Sequence, residues 1–170
     1  GVETLLGRRL DPREYLGGQD GLARWTTVIK QADVVLAIAL LGRDLPLEAK
    51  RANYAYYEPR TEHGSSLSAC AYGLLATELG LDADAWRYFM KSARADLEGG
   101  GKKYVGDLYI GGTHPAASGG AWLVAWQGFL GIDAQPGCLR LEPRLPAAWS
   151  GARVSIRVGT ETVLATIRRD

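Results

Sequence analysis

The chain has 170 residues, 46% of them hydrophobic, and a formal net charge of +1, which is enough for one domain with a core and a small appendage. This near-neutral balance gives no electrostatic reason to expect nucleic acid or an anionic membrane as partner, and no apolar stretch has the roughly 20 residues needed to span a bilayer. Gly1–Leu10 shows no charged leader followed by an apolar run, so a cytoplasmic location is expected rather than a secreted one.

Residues 1–18 are irregular, with Asp11-Pro12 as a turn signal. Gly21–Leu41 predicts a long helix, capped by Asp20 and ended by Gly42. Its C-terminal part, Ala32–Leu41, is apolar nearly all round, the pattern of a helix buried on most sides. Leu47–Tyr57 predicts a second helix, stopped by Pro59, and Ser65–Leu79 a third, closed by Gly80. Asp82 and Asp84 open a fourth, which runs through Trp86, Tyr88, Phe89, Met90 and Leu97 to the glycines at 99–101. Residues 102–112 form a loop with room for a short strand, and a fifth helix runs from about Ser118 to Leu130.

Beyond this the period changes from helical to alternating. Leu139–Pro143 and Val154–Val158 alternate with period two, Thr162–Ile167 is β-branched and apolar, and Gly159–Glu161 separates the last two runs like a hairpin turn. Segregation of helices from strands predicts two units, 1–135 and 136–170. Three short strands cannot bury a sheet face alone, and the all-apolar helix calls for further helices around it. Both features point to a piece of a larger protein or to an obligate assembly. Cys70 and Cys138 are far apart and lack metal-ligand spacing, so two buried thiols are expected rather than a disulfide. With two histidines in the chain, no metal site is expected.

Three segments carry candidate chemistry. The densest polar cluster is Tyr56–Ser68, with two glutamates, an arginine, a histidine and several hydroxyls between two helices. One reading is a capping loop, with Ser65 or Ser66 as N-cap, Arg60 paired with a glutamate and His63 bonded to backbone. The other is a loop for a polyhydroxylated ligand, since such groups gather where packed helices end. The second segment, Gly111–Trp122, has glycines that let backbone approach a ligand and a following helix with unpaired N–H groups. Against this, Gly119 and Gly120 can serve tight helix packing, and Trp122 and Trp126 fit a core at i, i+4. The third is Lys30-Gln31, placed mid-helix by the pattern; a lysine there snorkels to water, or donates to sugar hydroxyls if it faces a cavity.

Together these segments resemble glycoside hydrolase family 65, which contains maltose, trehalose and kojibiose phosphorylases and some hydrolases. The matching residues are Val28–Val35 with its lysine-glutamine-alanine-aspartate run, Tyr57–Thr61 with His63 and Ser65–Ser68, and Gly112, His114, Gly119, Gly120, Trp122, Gly128, Phe129 and Gly131. Leu141–Pro146 followed by Trp149 resembles the opening of the family's C-terminal β-domain. The resemblance implies a mainly α chain: the C-terminal part of an (α/α)6 barrel over 1–135, then the first strands of a β-sandwich domain over 136–170. It implies inverting cleavage of an α-glucoside, with Lys30 and Gln31 binding glucose. Ser65, Ser66 and His114 fall where phosphate docks in phosphorylases. No cofactor is implied, beyond inorganic phosphate as co-substrate for a phosphorylase.

No match to the family's general acid is found; Glu14 lies too close to Lys30. The chain alone is therefore expected to be inactive, and to be completed by the missing N-terminal part of the same enzyme or by a homodimer mate. One departure concerns Glu62, where phosphorylases of the family commonly carry an apolar residue, and Gly64, where they carry an aspartate. Inverting hydrolysis needs a second carboxylate to activate water, whereas phosphate is its own nucleophile. Two like charges at roughly 4 Å repel by about 4 kcal/mol at an effective dielectric of about 20. The sequence thus leads to an inverting hydrolase of a glucose disaccharide, with Glu62 as general base. Its alternatives are a phosphorylase and a non-catalytic carbohydrate-binding fragment.

Overall fold

The computed structural model describes residue 24, residues 26–98, 112–135 and 137–169, and the backbone of 104–105 and 108–109. Among these, five α-helices run in order: α1 (Asp33–Leu41), α2 (Leu47–Tyr57), α3 (Ser68–Leu79), α4 (Asp82–Ala93) and α5 (Pro115–Leu123). A 3-10 turn, Glu58–Arg60, extends α2, and a π-helical stretch, Val124–Phe129, extends α5. Strands β1 (Tyr104–Val105) and β2 (Leu108–Tyr109) form one antiparallel pair, β3 (Ile132–Gln135) and β4 (Cys138–Leu141) a second, and β5 (Gly151–Val158) and β6 (Glu161–Arg168) a third. In the last, Gly151 pairs with Arg168 and Val158 with Glu161. The division expected between 135 and 136 falls between β3 and β4, which are hydrogen-bonded to each other.

The core is built around α3. Its small and aliphatic residues let neighbours approach from all sides, so Ala69, Ala71, Tyr72, Leu74, Leu75, Ala76 and Leu79 are all buried. Gly80 ends it at φ 70°, its N–H reaching the carbonyls of Ala76 and Thr77, the left-handed cap that glycine adopts without steric cost. Asp82 and Asp84 favour the start of α4 through the helix dipole. Ala85, Tyr88 and Ser92 then form its buried stripe. Val35 and Ile38 of α1, Tyr54 of α2, and Val124 and Phe129 complete the cluster. Burying Leu75 entirely contributes about 1.5–3 kcal/mol. A smaller cluster of Leu130, Ile132 and Ile156 joins the helices to the strands, with Trp126, Leu139 and Val154 packed against it.

Several expectations need correction. The first helix begins at Asp33, and positions 20–23 and 25 lie outside the described residues. The β-branched run Thr26–Ile29 favours extended backbone, and here it has a partner. Ile29 N–H donates to Arg60 O at 2.8 Å, and Glu62 N–H to Ile29 O at 2.8 Å. Lys30 and Gln31 thus lie in a loop before α1, not mid-helix. Within α1 only Val35 and Ile38 are buried, while Leu40 and Leu41 are exposed. The third helix starts at Ser68, because Ser65 is drawn into the preceding turn. The fifth starts at Pro115, whose fixed φ suits a first helical position. Strand β3 is a further addition. Trp122 is exposed and stacks on Trp126, with ring centroids 5.4 Å apart, rather than entering the core. Cys70 and Cys138 are unbridged, but Cys138 is exposed rather than buried.

Candidate active site

The alternating direction of successive helices brings the three motif segments to one end of the helical layer. Lys30-Gln31 precedes α1, residues 58–67 connect α2 to α3, and His114 precedes α5. Helices α1, α3 and α5 therefore all start at this end. Gln31 Nε2 donates to Ser65 Oγ at 3.3 Å, a direct link between the first two segments. The end of α4 touches the other two: Lys91 Nζ donates to His63 O at 2.6 Å, and Asp96 binds His114. Close packing adds to this. A Cβ on Gly120 of α5 would stand 2.4 Å from Cys70 Sγ of α3, so glycine is required there by helix contact. Gly119 faces open space. Ser92 Oγ donates to Ala117 O at 2.8 Å, fixing α4 to α5.

The 58–66 loop is held from beneath by an aromatic and polar network. Tyr88 donates to Glu58 Oε1 at 2.5 Å and stacks on His63, with centroids 5.2 Å apart. Thr61 Oγ1 and the Tyr72 hydroxyl are 2.5 Å apart, and both residues are fully buried. His63 Nε2 lies 2.9 Å from Glu58 O. His63 also has φ 57°, a left-handed conformation that costs a non-glycine residue energy and persists where surroundings impose it. Here those surroundings are the Tyr72 and Tyr88 rings and the lysine on its carbonyl. Tyr54 donates to Asp84 at 2.8 Å; burial first, and then this carboxylate, push its hydroxyl pKa well above the ordinary value. Among the described residues Arg60 does not pair with a glutamate, but donates to Tyr56 O and lies 4.0 Å over the Tyr56 ring. Arg87 lies 3.4 Å from Glu58 Oε1.

The side chains of this loop thus fall into a buried group and a partly accessible one. His63 binds backbone and is 1% exposed, so it acts as a loop support. Ser65 accepts Leu67 N–H at 3.3 Å as well as Gln31. Ser65, Ser66 and Gln31 are half-buried and Lys30 is exposed, so these side chains are placed where a ligand can meet them. Glu62 is 3% exposed. His114 is half-buried, and its Nδ1 lies 2.7 Å from Asp96 Oδ1. The backbone N–H of His114, and then its ring, hold the Asp96 carboxyl below the usual range. Asp96, Lys91 and Tyr88 were not indicated by the sequence: they belong to α4 and its end, outside all three motifs. Only the helical stripe Ala85, Tyr88, Ser92 pointed one of them inward. Among the described residues, no group of three His, Cys, Asp or Glu could hold a metal ion, and no helix is long and apolar enough to cross a membrane.

Residues 21–123 match the glycosyl hydrolase family 65 central catalytic domain. The nigerose phosphorylase of Lachnoclostridium phytofermentans is 48% identical over 157 residues, covering 92% of this chain and 21% of that protein. The 1,2-alpha-glucosylglycerol phosphorylase of Bacillus selenitireducens is 34% identical over 163 residues, 96% of this chain and 21% of the relative. A solved structure from the human microbiome, described as a candidate kojibiose phosphorylase, superposes with a TM-score of 0.71 at 30% identity. That match covers 85% of this chain and 21% of the other. The chain thus spans about a fifth of the length of these relatives, and its helices form the C-terminal part of an (α/α)6 barrel. These relatives are named phosphorylases, which overturns the expected hydrolase with Glu62 as general base. Charge repulsion acts only where Glu62 faces a bound phosphate, whereas Glu62 is almost fully buried while Ser65, Ser66 and His114 are partly accessible. By sequence and fold, this chain belongs to glycosyl hydrolase family 65.

Proposed function

We propose that this chain supplies part of the active site of an inverting disaccharide phosphorylase. The observation that carries the reading is the hydrogen bond from Gln31 to Ser65: it sets the segment with sugar-binding donors directly against the hydroxyl-bearing loop. In this reading Lys30 and Gln31 hold the glucose unit of an α-glucoside. Ser65, Ser66 and His114 receive inorganic phosphate, aided by the N–H groups at the starts of α3 and α5. Phosphate attacks the anomeric carbon from the face opposite the glycosidic oxygen, that oxygen leaves with a proton from an acid outside these residues, and a β-glucose 1-phosphate forms. No carboxylate base is needed, because the nucleophile is already anionic. The resemblance to a nigerose phosphorylase makes nigerose the first disaccharide to try, followed by kojibiose and trehalose. A cytoplasmic location goes with this chemistry, which is useful where phosphate and the sugar phosphate are retained.

The test uses the product of the complete reading frame. Incubated with each disaccharide, it should consume phosphate and release one glucose 1-phosphate per bond cleaved, and Glu62→Gln should keep that phosphate-dependent turnover. Cleavage at an undiminished rate without phosphate would overturn the reading. Binding of disaccharide with no turnover under either condition would favour the non-catalytic alternative.

A further inference from the structure

Asp96 lies just beyond α4 and is 18 residues before His114 in sequence, yet its carboxylate meets that histidine twice. The backbone N–H of His114 donates to Oδ2 at 2.8 Å and to Oδ1 at 3.0 Å. The ring Nδ1 lies 2.7 Å from Oδ1. The two contacts have different meanings. A carboxylate on the N–H at the start of α5 is a helix cap favoured by the dipole, and that role needs no contact with the ring. The ring contact does something further. An ionised carboxylate only accepts hydrogen bonds, so Nδ1 must carry the proton. With Nδ1 engaged, Nε2 is the ring nitrogen left to meet a ligand. Among the described residues it makes no hydrogen bond.

We propose that Asp96 is a positioning residue for the phosphate site: it fixes the tautomer and rotation of the His114 ring, so that Nε2 is presented to inorganic phosphate. In that orientation Nε2 can accept from a phosphate hydroxyl or, when protonated, donate to a phosphate oxygen. Asp96 itself does not touch the ligand. Both of its contacts come from one residue, so orientation of the backbone and of the ring are coupled. The inference rests on the reading of His114 as a phosphate-site residue.

Kinetics of the complete enzyme test it, with inorganic phosphate and the cleaved disaccharide varied separately. Asp96→Ala removes both contacts. Asp96→Asn keeps an acceptor for the backbone N–H but can offer an N–H to Nδ1, which releases the tautomer. Both should raise the KM for phosphate about tenfold or more, in line with the loss of other histidine-orienting carboxylates, and leave the KM for disaccharide within about twofold. Asp96→Glu, which restores the charge, should recover part of the loss. A phosphate KM within about twofold of wild type in Asp96→Asn overturns the proposal. So does a parallel rise in both KM values accompanied by a lower Tm, the signature of a helix cap alone. His114→Ala serves as the control. If it raises the phosphate KM while the Asp96 variants do not, only the role of Asp96 falls. If it leaves the phosphate KM unchanged, the phosphate-site reading of His114 falls too.

Discussion

Replacing Tyr88 by phenylalanine should loosen the 58–66 loop while leaving its packing in place. Tyr88 is 2% exposed, and its ring stays available to stack on His63 at 5.2 Å, so little apolar burial is lost. What disappears is the hydroxyl that donates to Glu58 Oε1 at 2.5 Å. Hydrogen bonds to charged groups contribute about 1.5–3 kcal/mol. Arg87 stands 3.4 Å from the same carboxylate with half its side chain exposed, and such a pair contributes little. A cost of about 2 kcal/mol follows, which is about 30-fold in the local opening equilibrium. Native-state hydrogen exchange reads this directly. The amides of Ile29, Thr61 and Glu62, which donate to Arg60, Tyr57 and Ile29, should exchange about 30-fold faster. Those of the β5–β6 hairpin should not change. Acceleration of less than about threefold, or equal acceleration in the hairpin, would refute the assignment of this bond as the loop's anchor. In combination with Glu58→Gln, which removes the charge from the acceptor, the two effects should sum to less than additivity, because both variants act on the same contact.

Gly120→Ala should destabilise the protein by about 1–3 kcal/mol through overpacking, read as a lower Tm. Adding Cys70→Ala should recover only part of this, since the new methyl also meets Cys70 Cβ at 2.5 Å. Thiol labelling of the chain at neutral pH should modify the exposed Cys138 first, because burial pushes the Cys70 thiol pKa up and leaves less thiolate. Carboxyl NMR should find Asp96 titrating below an ordinary aspartate. Its folded pKa is depressed, so its link to His114 stabilises the fold above the ordinary carboxylate range. That contribution is lost as pH falls through the lowered value, and an Asp96 midpoint at or above the ordinary range would contradict the geometry.

Elements whose ends carry their own chemistry are legible in this sequence. Helix α2 is bounded by Pro46 and a following Glu58-Pro59, α3 ends on a glycine at φ 70°, and α4 begins with two aspartates. The segment before α1 is not, because the β-branched preference of Thr26–Ile29 is too weak by itself to end a helix. Its extended form depends on hydrogen bonds to Arg60 and Glu62, which are distant in sequence. The same displacement is what brings Gln31 against Ser65. A helix continuing through Lys30 would have withdrawn that backbone into its own hydrogen bonds. Strand β3 is hidden for a similar reason, since Asp133 gains its place from Arg43 and from pairing with β4, not from its own propensity.

The candidate site divides along the same line. Residue types and spacing single out Lys30, Gln31, Ser65, Ser66 and His114 as candidates in the sequence, because donors and hydroxyls recur there where helices start. The role of a carboxylate cannot be read that way. Glu58, Glu62 and Asp96 are alike in chemistry, and each has a different environment in three dimensions. Glu58 accepts from a tyrosine beneath the loop, Glu62 is buried beside the Ile29 bridge, and Asp96 meets a histidine at the surface. Charge repulsion excludes a glutamate from a phosphate site only if the glutamate points into it, and burial decides that. A glutamate in the loop motif is therefore compatible with phosphorolysis. Asp96, which no motif contains, is the carboxylate that meets His114.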